Sequence, residues 1–334
     1  MNKNNKANKL IILAIIVIIL ITAGVIFILN YTKDSSSLSI LEKNWINNNV
    51  NNIIDVSVYN DVPVYGQDGM GVAFSYLEEF TNSYGIDFNK VSYISSNAKD
   101  LKDVSFKILD FNTELTDDDI EIYKDYYVIV SKDNSVLNNI GDLNGIKLGV
   151  LASDITDIKY YLAEASDITY VSCETLDEMV SKLNSQTKEV EYVVIPKTLY
   201  LDKILINDLS IVYHISDMAK KYVLEVNDTS LYSIMNKFYL EFKDLYFEES
   251  FSKQFLDVYF KNSSYSEVDR VNYNSSVYTY GYVVNMPYEN IDSNNFVGVI
   301  SNYLKEFQSV AQVDLKIVKY DNIEELKAAL LIGD

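Results

Sequence analysis

Cysteine, histidine and arginine each occur once in this chain, and each shortage excludes something. A single cysteine, Cys173, in 334 residues rules out an intrachain disulfide, a cysteine-based zinc site and a paired redox motif. The fold must be held by packing. The one histidine, His214, lies in the strand-like run SIVYHISDM without a neighbour that could complete a triad or a typical metal site, so it reads as structural. With one arginine, Arg270, and a net charge of -20, the chain has little with which to grip phosphates and repels nucleic acid. Nucleic acid is therefore not an expected partner. No pair of titratable residues suggests a reaction geometry, so no catalytic residue, cofactor or metal is expected. The excess of lysine over arginine and the abundance of asparagine fit an AT-rich bacterial genome and say nothing about function.

Apolar residues, by contrast, are plentiful at 48%, enough for a sizeable core. The run LIILAIIVIILITAGVIFIL, Leu10 to Leu29, carries no charge over 20 residues. At ~1.5 Å per residue it matches the ~30 Å hydrocarbon core of a bilayer. It continues past Thr22, Ala23 and Gly24 instead of ending at a small-residue cleavage site, which predicts a retained transmembrane helix over 10–31. Lys3, Lys6 and Lys9 precede it without an acid, so residues 1–9 are expected in the cytoplasm and everything after Tyr31 outside the cell. A linker over 32–50 follows.

The outer region alternates β-rich and helical runs. Strands are predicted at Ile53 to Tyr59, Lys90 to Ile94, Val104 to Leu109, Tyr126 to Val130, Ile146 to Leu151, Ile168 to Ser172 and Glu191 to Ile195. Helices are predicted at Val72 to Tyr84, where Val72, Tyr76, Leu77 and Phe80 recur at helical spacing, and at Ile155 to Glu164, Leu176 to Leu183 and Ser230 to Phe242. Such alternation predicts an α/β protein with parallel sheets covered on both faces.

An internal repeat is the most informative feature. Residues 71–93, GVAFSYLEEFTNSYGIDFNKVSY, align without gaps to residues 298–320, GVISNYLKEFQSVAQVDLKIVKY, and nine of 23 positions are identical. The matches include Gly71 and Asp87 as well as apolar positions, which two merely amphipathic helices would not require. A module of about 220 residues is thus expected, with a second copy starting near Tyr273 and reaching only its opening elements by Asp334. The chain is then either a fragment or carries an incomplete appendage.

Three segments carry a family resemblance: VYNDVPVYGQDGMGVAFSYLEEFTNSYGIDFNKVSYI, VLNNIGDLNGIKLGV (Val136 to Val150), and EYVVIPKTLY with YVLEVNDTSLYSIMNKFYLEF (Tyr222 to Phe242). Their order resembles the extracellular solute-binding protein family 3, the two-lobed periplasmic binding proteins of type II topology. The middle segment, with its D-L-x-G-x-x-x-G-V pattern, resembles the family's crossover into the second lobe. The resemblance implies an α/β module at 51–270 with a parallel-core sheet in each lobe. Lobe I would take about 51–130 and 220–260, lobe II about 131–219, and a partial second copy 273–334.

Family members that bind amino acids hold the ligand carboxylate with a first-lobe arginine and its amino group with an aspartate after a late second-lobe strand. Here the corresponding stretches are acidic (Phe111 to Tyr123) and Pro196-Lys197, so a ligand other than an ordinary α-amino acid is expected. Tyr59, Asn60, Tyr65 and Phe111 fall at strand ends or loops that should face the cleft, where aromatic faces can stack on a ring or cover a cation. Ser153 and Thr156 stand at a predicted helix start in lobe II, suited to an anion or to capping. The run Asp117 to Asp119 reads as a solvated loop, and Gly66, Gly69 and Gly71 support turns at a spacing that is no dinucleotide fingerprint.

The leading expectation is an extracellular sensory module whose closure on a small molecule shifts the anchored helix. Tandem modules of this kind occur in receptors that carry a histidine kinase or diguanylate cyclase portion. Its partners would be that ligand, the membrane through residues 10–31, and compatibly a second copy in a homodimer. The alternatives are a tethered binding component of an ABC importer and a ligand-free scaffold.

Overall fold

The apolar runs between residues 53 and 226 become strands of one mixed sheet. The structure, a computed structural model, describes residues 38–333 other than 62, 67, 68, 95–100, 134, 135, 264 and 294. The expected cytoplasmic stretch and membrane helix lie outside the described residues, among which no helix is long and apolar enough to cross a membrane.

Strands β1 (Ile53–Tyr59), β2 (Asp87–Tyr93) and β3 (Val104–Leu109) form a parallel trio with β1 in the middle. A second parallel trio has β5 (Lys147–Leu151) between β6 (Thr169–Cys173) and β7 (Tyr192–Pro196). Between the trios run β4 (Asp119–Ser131) and β8 (Ser210–Val226), antiparallel to each other and to their outer neighbours, so the order is β2-β1-β3-β8-β4-β7-β5-β6. The resemblance leads one to expect a separate sheet in each lobe, and here the structure differs. Hydrogen bonding is continuous across eight strands, because β4 has 13 residues and β8 has 17, long enough to serve both trios.

The β4–β8 ladder nevertheless breaks register at its middle. Tyr126 faces Ala219 and Tyr127 faces Ile215, so Ser216, Asp217 and Met218 have no partner on β4. Apolar packing divides at the same place. One cluster joins Val56, Phe106 and Leu224 to helices α2 (Val72–Tyr84) and α6 (Thr229–Phe242). Two further clusters cover the second trio, and since Tyr127 and Ile129 belong to one while Val128 and Val130 belong to the other, they lie on opposite faces. Helices α3 (Ile155–Tyr161) and α4 (Leu176–Leu183) supply these two clusters, and α5 (Leu201–Ile206) follows β7.

Local chemistry sets the helix ends. Thr175 accepts from the Glu178 amide at the start of α4, and Asp228 accepts from the Leu231 amide at the start of α6. Within the stretch expected as linker, Ser39 and Glu42 form a capping box that opens α1 (Ile40–Asn49). Glu42 also ties α1 to α6, accepting from Ser233 at 2.6 Å and Lys237 at 2.7 Å. Burial pushes its carboxyl up, but Lys237, Ser233 and Ser39 together bring it down to about 2.

After α6, a π-helical turn (Lys243–Phe247) leads without interruption into α7 (Glu248–Asn262). The remaining elements are α8 (Glu267–Ser275), β9 (Val277–Tyr282), a short hairpin of β10 (Asn290–Asp292) and β11 (Asn295–Val297), α9 (Val299–Ala311), β12 (Asp314–Lys319) and α10 (Ile323–Ile332). β9 pairs in parallel with β12 from Val277↔Asp314, as β1 pairs with β2 from Ile53↔Asp87. Gly71 and Gly298 open α2 and α9 with φ of 124° and 120°, and a Cβ on either would lie 2.4 or 2.3 Å from a loop carbonyl oxygen. The carbonyls of those loops accept from the first amides of the helices: Val64 from Val72 and Tyr65 from Ala73, then Pro287 from Val299 and Tyr288 from Ile300. The segments aligned in sequence, 71–93 and 298–320, therefore share cap, helix and strand.

Candidate functional site

The C-terminal ends of both parallel trios point at the seam where β4 and β8 break register. β1 ends there with Tyr59, half-buried and edge-on to Tyr93 at 5.5 Å, and Asn60, whose amide donates to the Tyr93 carbonyl at 2.7 Å. Next comes Asp61, buried, accepting from the Tyr222 hydroxyl of β8 at 2.7 Å. Burial pushes the Asp61 carboxyl up to about 7, opposed by the Tyr222 hydrogen bond and reinforced by Asp125 and Asp202. Asp125, buried on β4, accepts from the Thr198 and Leu199 amides just after β7, each at 2.7 Å. Burial raises its pKa against those hydrogen bonds. Tyr123 and Thr198 share a hydroxyl contact at 3.0 Å.

From the second trio, Tyr200 reaches the same place: burial, then Asp154, Tyr59, Asp125 and Asp61, push its hydroxyl up to about 12. The loop after β3 crosses the seam. Phe111 packs edge-on against Tyr161 of α3 at 5.0 Å, Asn112 donates to Asp157, and Lys220 of β8 pairs with Asp110 at 2.7 Å. The seam is thus rich in carboxylates and tyrosines. Arg270 takes no part, being paired with Asp257 of α7. Among the described residues no cluster of histidine, cysteine and acidic side chains could hold a metal ion.

The sequence-predicted residues fare unequally. Tyr59, Asn60 and Phe111 lie at the seam. Tyr65 does not: it is fully buried in the first cluster, against Phe106 and Tyr222, and its hydroxyl lies 2.8 Å from both the Lys107 and Val223 carbonyls. Its loop folds inward because an amphipathic ring with a satisfied hydroxyl is a good core residue. Tyr65→Phe should cost about 1.5 kcal/mol in urea unfolding. An unchanged midpoint would show that neither carbonyl depends on it.

Ser153 and Thr156 are both exposed, and Asp154 occupies the N-cap of α3 between them. Its carboxylate accepts from Ser153 and from the buried Tyr127 hydroxyl, each at 2.7 Å. A bound anion would face that charge, so the helix start does not serve as the expected anion site. Asp119 belongs to β4 instead of a solvated loop, with its side chain held by Thr116. Asp61, Asp125 and Tyr222 escaped the sequence reading. Asp125 carried one signal, an acid inside the apolar strand YKDYYVIV.

No family profile and no curated protein matches the chain. Among solved structures, the BvgS periplasmic domain of Bordetella pertussis is similar over 90% of this chain at 17% identity and a TM-score of 0.48. The chain spans 63% of that structure's length. The GluR0 ligand-binding core in complex with L-glutamate is similar over 61% of this chain and 98% of its own, at 14% identity and a TM-score of 0.45. AbpA, an amino acid ABC transporter substrate-binding protein of Streptococcus pneumoniae bound to L-arginine, is similar over 66% and 100%, at 15% and 0.42. The architecture rests on the chain's own strand order.

Proposed function

We propose that residues 51–270 are the two-lobed ligand-sensing module of a membrane-anchored receptor. The helix at 10–31 would hold it outside the cell, and a second copy would begin near residue 273. A signalling output domain would belong to the same receptor. The observation that carries this reading is the pair β4 and β8, which pass between two separately packed trios and lose register where the trios part. A ladder with that defect can bend there without unpairing either trio. Closure would bring Tyr59, Asn60 and Phe111 against the ends of β5 and β7, trapping a small molecule. With Arg270 paired elsewhere, an ordinary amino acid would find no guanidinium for its carboxylate.

A thermal-shift screen of small molecules on the chain tests this. A ligand at 100 times its Kd should stabilise the native state by about 2.7 kcal/mol. Phe111→Ala and Tyr59→Ala should each weaken it. Stabilisation that survives both substitutions together would place the ligand elsewhere and remove the reading.

A further inference from the structure

A groove of about 430 Å³ lies where α7 crosses the opening of α2. Phe238 of α6 is 5.2 Å from Phe80 and 5.7 Å from Tyr84, whereas Phe242 is 5.3 Å from Tyr76, so α6 runs antiparallel to α2 and its continuation, α7, passes the start of that helix. The two helices touch where the Ser75 and Ser250 hydroxyls meet at 2.9 Å. One wall of the groove carries Glu78 and Glu79 of α2, one turn beyond Ser75, and the other carries Glu249, Lys253 and Gln254 of α7. None of these four charged side chains forms an ion pair among the described residues. Three carboxylates therefore face one lysine. Gln254 is only 5% exposed, yet among the described residues its side-chain amide has no hydrogen-bond partner. Burying an amide unpaired is unfavourable, and such groups in folded proteins ordinarily have a partner.

We propose that this groove binds a short aliphatic diamine, one ammonium lying against the carboxylates and the other donating to the Gln254 amide oxygen. Charge argues for the class. Three carboxylates against one lysine leave two negative charges uncompensated, which a dication balances and an anion or a neutral sugar does not. Gln254 argues for a ligand where acids alone would be a solvated face: its Oε1 is a buried acceptor, and an ammonium brings three N–H donors. The Ser75 and Ser250 hydroxyls, although they meet each other, keep lone pairs for the same donors. A metal ion does not fit, because among the described residues no group of histidine, cysteine and acidic side chains could hold one. The groove uses none of Tyr59, Asn60 and Phe111, so it stands independently of the solute reading of the seam.

Isothermal titration of the full chain with butane-1,4-diamine tests this. One saturable site is expected, weakened about tenfold by Glu79→Gln, which removes a half-buried charge, and about tenfold by Gln254→Leu, which removes the amide at similar volume. Butane-1,4-diol, of the same length without the charges, should not bind. Neither substitution should lower the melting temperature, since Glu79 has no ion-pair partner among the described residues and leucine replaces an unpartnered amide with an apolar group. Absence of a saturable site overturns the proposal. So does a site indifferent to either substitution, because the diamine would then be held by the chain's overall negative charge or at another place. Equal binding of the diol overturns it as well, since charge would play no part. The double variant Tyr59→Ala and Phe111→Ala should titrate like the wild type, so a failure here and a failure of the solute screen are read separately.

Discussion

Asp61→Asn is expected to raise stability by about 4 kcal/mol at pH 8 and to change it little at pH 4, as judged from urea midpoints. Burial lifts the Asp61 carboxyl from 3.8 to about 7, so the folded chain holds this proton more tightly than the unfolded one. Its contribution is therefore fully present below about pH 4 and is lost as pH rises to about 7. Asparagine keeps an acceptor for Tyr222 and removes the charge. Equal effects at both pH values would mean that Asp61 is not proton-linked to folding. The functional corollary follows from position. Charging Asp61 on the first side of the seam sets it against Asp202 of α5 on the other side and Asp125 of β4 beneath it.

Gly71→Ala should destabilise the chain by about 3 kcal/mol, the scale of a backbone forced into glycine-only territory. At φ 124° the new methyl would sit 2.4 Å from the Tyr65 carbonyl oxygen, so the capping loop and α2 could not both keep their places. Gly298→Ala meets the same geometry at 2.3 Å from the Tyr288 carbonyl oxygen, yet α9 has a largely bare face and less to lose. Its effect should be local, read as faster amide exchange over 299–311, with a smaller shift in melting. An unchanged melting temperature for Gly71→Ala would show that the loop can yield.

Much of the fold was legible in the sequence where one period dominated. β1, β3 and α4 have the bounds their alternation or helical spacing predicts, and Gly71 and Gly298, aligned in sequence, take similar backbone angles before their helices. The two long strands were not legible. β8 contains His214, Asp217, Lys220 and Lys221, and its inward side changes at the register break, so no single alternation runs through it. β4 begins at Asp119, inside a run of acids whose local chemistry says loop and whose pairing with β8 says strand. At the site, strand ends could be read from pattern, which gave Tyr59, Asn60 and Phe111. The buried acids could not, because their partners are far away in sequence: Asp61 with Tyr222, Asp125 with Thr198 and Leu199. Tyr65 misled for the opposite reason, a loop residue that turns inward.

The continuous rod formed by α6, the π-helical turn and α7 has a mechanical consequence. α6 is fixed into the first cluster, while α5, from the far side of the seam, rests on α7, and α7 in turn supports α9. Any rocking of the second trio has to drag α5 along α7. Because α7 is itself held to the first side, by Phe251 against the first cluster and by the Ser75–Ser250 hydroxyl contact at 2.9 Å, such rocking would have to shear α5 across a fixed rail.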